Sequence, residues 1–188
     1  MTTATRLMTL DEFLAMPETE PASEFICGEV VQKPMLSPNH GIIATEIGTL
    51  LRIYMKGAKN GARVITKARH AERPERRAYL PDVSVVLAEH FPANPETRRR
   101  GPLELVPDIA IEILSPDDRP SRVGEKMAFY LWNHTPVGWV IDPDERTVDV
   151  HRPGLPSTRQ RPGDMITAAP VLPNFTLDVG ELFAALDD

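Results

Sequence analysis

Cysteine is nearly missing: Cys27 is the only one in 188 residues. That excludes an internal disulfide and a cysteine-built zinc site, and its neighbours predict a small buried filler. Long hydrophobic runs are missing too. No stretch approaches the roughly 20 apolar residues that span a bilayer, and Met1-Thr2-Thr3-Ala4-Thr5-Arg6-Leu7 lacks the apolar core and cleavage site of a secretory leader. The chain is therefore expected in the cytoplasm, with no membrane partner. No glycine-rich phosphate loop occurs, which removes the common nucleotide-binding signatures. An excess of basic charge is also lacking: 21 lysines and arginines against 27 acids leave a net charge of −6, whereas proteins that grip nucleic acid usually carry a basic footprint. Two local basic clusters remain, Lys67-Ala68-Arg69-His70 through Arg73, Arg76 and Arg77, and Arg98-Arg99-Arg100. Each suits either a positive patch or solvated loops.

What is present is ordinary in bulk. The chain is 41% hydrophobic and 26% charged, as expected of a soluble globular protein, and its length fits a single domain over residues 1–188. The informative feature is an acid inside a greasy strand. Pro107-Asp108-Ile109-Ala110-Ile111-Glu112-Ile113-Leu114-Ser115-Pro116 reads as a buried strand closed by Ser-Pro, with Glu112 within it. A buried carboxylate without a partner costs several kcal/mol or takes up a proton, so Glu112 calls for a cation, a donor network or a metal. A second acid of this kind, Asp82, enters the apolar strand Pro81-Asp82-Val83-Ser84-Val85-Val86. If the two strands pair, the carboxylates stand about one strand spacing apart, roughly 5 Å, an arrangement that suits a hard divalent cation. The alternative is that Asp82 caps a turn and Glu112 pairs with an arginine.

Around these strands the chain alternates helices and strands. Residues 8–16 form a short helix with Thr9 as N-cap and Glu12 closing a capping box. Residues 24–34 form a hairpin about Cys27-Gly28, flanked by Glu24 and Glu29; both suit a solvated tip, although Glu24 starts the first strand and can face inward. Ser37-Pro38 opens a helix to about Lys56, ended by Gly57 and Gly61, whose covered arc holds Ile42, Ile43, Ile47, Leu50, Leu51 and Tyr54 together with His40 and Glu46. His40 is either an ordinary polar residue or a ligand, and Glu46 stands the same way. Residues 61–66 form a strand, then a polar turn region leads to the Asp82 strand, and residues 88–106 form a loop. Ser121 caps a helix to about Asn133 that carries Lys126 at the edge of its covered face, about 40° from Tyr130. Strands at 137–143 and 147–152 form a hairpin, residues 164–167 an edge strand, and residues 179–183 a short helix. The sum is α/β with a mixed sheet, in which residues 108–142 make a right-handed parallel crossover.

Pro-Asp on one strand and a glutamate on the next, within this order of elements, resembles the PD-(D/E)XK nuclease superfamily. More narrowly, Glu24-Phe25-Ile26-Cys27-Gly28-Glu29-Val30, the His40-Gly41 helix start, Pro81-Asp82-Val83, Pro107-Asp108 through Ser115-Pro116, Lys126 and Trp139-Val140-Ile141-Asp142-Pro143 resemble the Uma-type restriction endonuclease-like proteins over about residues 8–185. The resemblance implies a restriction endonuclease-like core: a mixed central sheet flanked by helices, with an N-terminal helix and β-hairpin. It implies an endonuclease hydrolysing DNA as a homodimer, with Asp82 and Glu112 holding Mg²⁺ or Mn²⁺ and Lys126 orienting or activating the attacking water. Glu46, His40 or Glu24 would support the site. One departure is plain: where the superfamily places a lysine two residues after the glutamate, this chain has Leu114, and Lys126 is the nearest substitute. A catalytically inactive module that binds nucleic acid or protein is the competing expectation, and a hydrolase acting on another phosphoester is a third.

Overall fold

Thr9 Oγ1 accepts from the Glu12 amide at 3.2 Å while Glu12 Oε2 accepts from the Thr9 amide at 2.8 Å. This closes the capping box at the head of α1 (Leu10–Leu14). The computed structural model describes residues 7–99 and 101–187; Arg100, the N-terminal residues 1–6 and the last residue of the expected domain lie outside them.

Phe13 of α1 stacks on Phe25 of β1 (Ser23–Ile26), their rings 5.2 Å apart. Strand β1 turns through Cys27-Gly28 into β2 (Glu29–Gln32). Both turn residues have positive φ, 50° and 101°, the hairpin geometry that matches strand twist and that Gly28 adopts without penalty. That turn also puts Cys27 in solvent. The expected buried filler is corrected: a side chain at a hairpin tip has no layer above it.

Ser37 accepts from the His40 amide to cap α2 (Pro38–Ala58), whose buried stripe is His40, Ile43, Ile47, Leu51 and Met55. Gly57 stays helical and Lys59, left-handed at φ 51°, ends the helix instead. Ile42, expected on the covered arc, is 40% exposed. After β3 (Arg63–Thr66), the expected polar turn region holds two strands of three residues each, β4 (His70–Glu72) and β5 (Arg77–Tyr79). Then come β6 (Val83–Val86), a short helix α3 (Pro95–Arg99) within the expected loop, and β7 (Ile109–Ile113). Helix α4 (Pro120–Trp132) is capped two residues before Ser121: Arg119 is its N-cap, without a side-chain cap bond, and Pro120 is already set for the first helical position. The chain closes with β8 (Val137–Asp142), β9 (Thr147–His151), β10 (Thr158–Gln160), β11 (Met165–Ala168), β12 (Leu172–Asp178) and α5 (Val179–Ala184).

The strands form a six-stranded sheet ordered β10-β9-β8-β7-β6-β3, a four-stranded sheet ordered β2-β1-β5-β4, and the β11-β12 ribbon. Within the six-stranded sheet β7 and β8 are parallel, joined by α4, and the other pairs are antiparallel. The sheet is mixed, as expected. Period-two alternation sends Ile109, Ile111 and Ile113 into one core with Ile43 and Ile47 of α2, and Ala110 into another with Met127 and Tyr130 of α4. Close approach of α4 rests on Gly138: a Cβ there would stand 2.1 Å from Met127 Sδ. Among the described residues no helix is long and apolar enough to cross a membrane.

Candidate active site

Glu112 shares the α4-facing side of β7 with Ala110, so the isoleucines that bury the strand leave the acid on the opposite face. Strands β6 and β7 pair antiparallel with Val83 opposite Ile111; one step further along that register, Asp82 stands opposite Glu112. Both acids are buried, 5% and 4% exposed. The expected juxtaposition forms.

Neither carboxylate pairs with an arginine among the described residues; both are met by lysines. Lys126, itself 4% exposed, reaches from α4 to Glu112 Oε2 at 2.8 Å and Glu24 Oε1 at 2.7 Å. Tyr130, one turn on, donates to Glu112 Oε1 at 3.1 Å. Glu24 faces inward from β1 and also accepts from the Leu80 amide at 2.9 Å, while Glu29 across the turn is exposed. Lys33, at the exit of β2, donates to Asp82 Oδ1 at 2.7 Å and to the Leu80 carbonyl at 2.9 Å, and its Nζ stands 4.0 Å from Glu112 Oε2. Asp82 Oδ2 accepts from the Ile113 amide at 2.9 Å. His40, 2% exposed, brings Nε2 within 3.2 Å of the same oxygen, yet neither ring nitrogen makes an aligned hydrogen bond. Glu46 lies half-buried further along α2 and does not line the cavity around these groups.

Three carboxylates thus share two ammonium groups in a cavity of about 350 Å³. Burial pushes Glu112 up, Lys126 and Lys33 pull it back, and the neighbouring Asp82 and Glu24 push again, so that it settles at about 7. Asp82 also feels burial, but Lys33, His40 and Lys126 outweigh it and hold the carboxyl well below the usual range. Burial opposes the charge on Lys126; Glu112 and Glu24 overcome it and keep the ammonium protonated above its ordinary range. Burial and then Glu112 keep the Tyr130 phenol protonated, so it serves as a donor.

Lys33 and Tyr130 are the residues that sequence reasoning missed. Lys33 follows the last residue of a four-residue strand, where side-chain direction is not set by alternation. A lysine ending the hairpin arm opposite inward-facing Glu24 was the available signal.

Among the described residues no three histidine, cysteine or acidic side chains converge as a ready cage for a metal. Mg²⁺ seldom needs one, since it keeps several waters and takes one or two carboxylates plus substrate oxygens. The donor set fits that habit. Lys33 Nζ stands between Asp82 and Glu112, so the position already holds a cation, and the misaligned His40 imidazole leaves a buried donor atom beside Asp82. A divalent ion there would be held by Asp82 and Glu112 in exchange for the lysine.

Known proteins resemble the chain over the span that holds these residues. A family model described as Uma2, "Putative restriction endonuclease", matches residues 10–180. No curated protein matches. Among solved structures, one described as a "putative nuclease belonging to DUF820 from Anabaena variabilis ATCC 29413" is 34% identical, with a TM-score of 0.84, covering 95% of this chain and 99% of that one. The fold is the restriction endonuclease-like, PD-(D/E)XK one. On a family match that spans every group of the cavity, the chain belongs to the Uma2 family of putative restriction endonucleases.

Proposed function

We propose that the protein is a Mg²⁺-dependent endonuclease, with Mn²⁺ able to substitute, that hydrolyses DNA phosphodiester bonds in the cytoplasm. The observation that carries this reading is the convergence of Asp82 and Glu112 from paired strands with Lys126 from the crossover helix in one cavity. Asp82 and Glu112 hold the metal, which when bound supplies neutralisation of phosphoryl charge and a lowered pKa for an attacking water. The Ile113 amide fixes the Asp82 carboxylate, with His40 Nε2 standing 3.2 Å from it, and Tyr130 fixes Glu112. Lys126, kept cationic by Glu112 and Glu24, orients the water or offsets charge developing on the phosphoryl oxygens. Burial of the whole set lowers the local dielectric and strengthens each of these interactions. A homodimer would set two such sites against the two strands of a duplex; the exposed edge of β2, where Val30 is 38% exposed, offers a surface for it.

The second reading is a catalytically inactive module that binds nucleic acid or protein. Leu114 in place of the superfamily lysine, and Lys33 seated between the two acids, favour it. Cleavage of plasmid and single-stranded DNA with Mg²⁺ or Mn²⁺ decides. Wild type should cleave, and Asp82→Asn, Glu112→Gln and Lys126→Met should each lose at least about 100-fold while circular dichroism stays unchanged. Wild type inert with either metal would favour the inactive module.

A further inference from the structure

Two arginines at the mouth of the carboxylate cavity have side chains without a protein partner among the described residues. Arg119, the N-cap of α4, and Arg122, in its first turn, both line the cavity. Among the described residues neither side chain makes a hydrogen bond or an ion pair, although the Arg122 amide donates to the Arg119 carbonyl at 2.9 Å. Several arginines elsewhere pair with acids: Arg69 with Glu18, Arg73 with Asp11 and Glu104, Arg159 with Asp149. Acids are close in sequence, yet Asp118 spends Oδ2 on the Ser115 amide at 2.7 Å, and Asp117, also in the lining, reaches neither arginine. Arg122 is half-buried and Arg119 exposed, so both guanidinium groups stay open to an incoming anion at the rim of the cavity.

Spacing gives the pair a direction. Positions 119, 122 and 126 are related as i, i+3 and i+7, one face of the helix, so a stripe of cations descends from the rim to Lys126 on Glu112. Arg119 and Lys126 are about 10 Å apart along the axis at 1.5 Å per residue. That is too far for a single phosphate group and suits a chain of them. A guanidinium offers a planar fork that meets two phosphate oxygens at once.

We infer that Arg119 and Arg122 form a phosphodiester clamp that grips backbone phosphates next to the bond facing Lys126, so that the ligand is a polynucleotide strand and not a mononucleotide phosphoester. The inference rests on the nuclease reading for the bond at Lys126, but it is tested without cleavage. Binding of fluorescein-labelled duplex and single-stranded DNA is measured by anisotropy in EDTA between 50 and 200 mM KCl. For Arg119→Ala/Arg122→Ala the slope of log affinity against log salt should fall by about 1.8 on duplex or about 1.4 on single strands, with affinity at least about tenfold weaker at 100 mM. Arg119→Lys/Arg122→Lys should keep the slope while losing affinity. Arg52→Ala/Arg76→Ala removes the same charge from exposed positions outside the cavity and should leave the slope unchanged. An unchanged slope in the Arg119/Arg122 alanine variant, or an equal fall in the control, overturns the clamp. If that happens while Mg²⁺-dependent cleavage persists, the nuclease reading stands; a slope that falls as expected in a protein inert with every divalent metal leaves the clamp on a non-catalytic nucleic-acid binder.

Discussion

Glu112 is the residue on which the site's balance turns. With Asp82 and Glu24 it makes three carboxylates against the two ammonium groups of Lys33 and Lys126 in one cavity, so a proton or a metal completes it. The folded pKa of about 7 lies above the ordinary 4.5. A raised acid makes the folded state the better proton binder between those values, so its stabilising contribution is present below about pH 4.5 and is lost as pH rises through about 7. Asp82, held below its ordinary value by Lys33, His40 and Lys126 against burial, works the other way but only at acid pH. Metal-free wild type should therefore lose roughly 3 kcal/mol relative to Glu112→Gln between pH 4.5 and pH 7.5. Urea denaturation at several pH values measures this, and parallel stability curves for the two proteins would contradict it.

At the scale of elements, the crossover from β7 through α4 to β8 does most of the positioning. It sets Glu112 and Lys126 on facing surfaces, and Gly138 lets the two layers close on Met127, the neighbour of Lys126. Gly138→Ala should cost about 1–3 kcal/mol by overpacking, seen as a lower thermal midpoint, together with reduced cleavage as α4 backs away from Glu112. An unchanged midpoint would mean that Met127 repacks freely and that the contact is not what sets the layer. This crossover was legible in the sequence because its strand is apolar, its helix amphipathic and its loops short. So were the capping box of α1, the hairpin about Cys27-Gly28 and the Asp82–Glu112 juxtaposition. Strands β4 and β5 were not: three residues each, they are held by the pairing of β5 with β1 and of β4 with β5 rather than by any pattern of their own. Lys33 escaped for a related reason, since a side chain past the end of a strand takes its direction from tertiary packing.

Over the whole molecule, the charge that the sequence displays is not the charge that the surface offers. The first basic cluster is largely consumed internally: Arg69 and Arg73 pair with acids, Arg77 lies 5.3 Å over the Phe129 ring, and burial drives His70 down to about 4. What remains free at the cavity is Arg119 and Arg122, which stand in no run of basic residues. A net charge of −6 is therefore compatible with a nucleic-acid ligand, because the cations that count are few and placed on one helix. The acids that make the chain negative include Glu24, Asp82 and Glu112, which Lys33 and Lys126 answer inside the cavity.

Calorimetric titration of Mn²⁺ into metal-free protein tests the exchange of Lys33 for a divalent ion between Asp82 and Glu112. Wild type should bind one ion per chain, Lys33→Met should bind it about tenfold or more tightly because a competing unit charge is gone, and Glu112→Gln should lose most of the affinity. No binding heat in either wild type or Lys33→Met, or weaker binding once Lys33 is removed, would contradict the placement of the metal between Asp82 and Glu112.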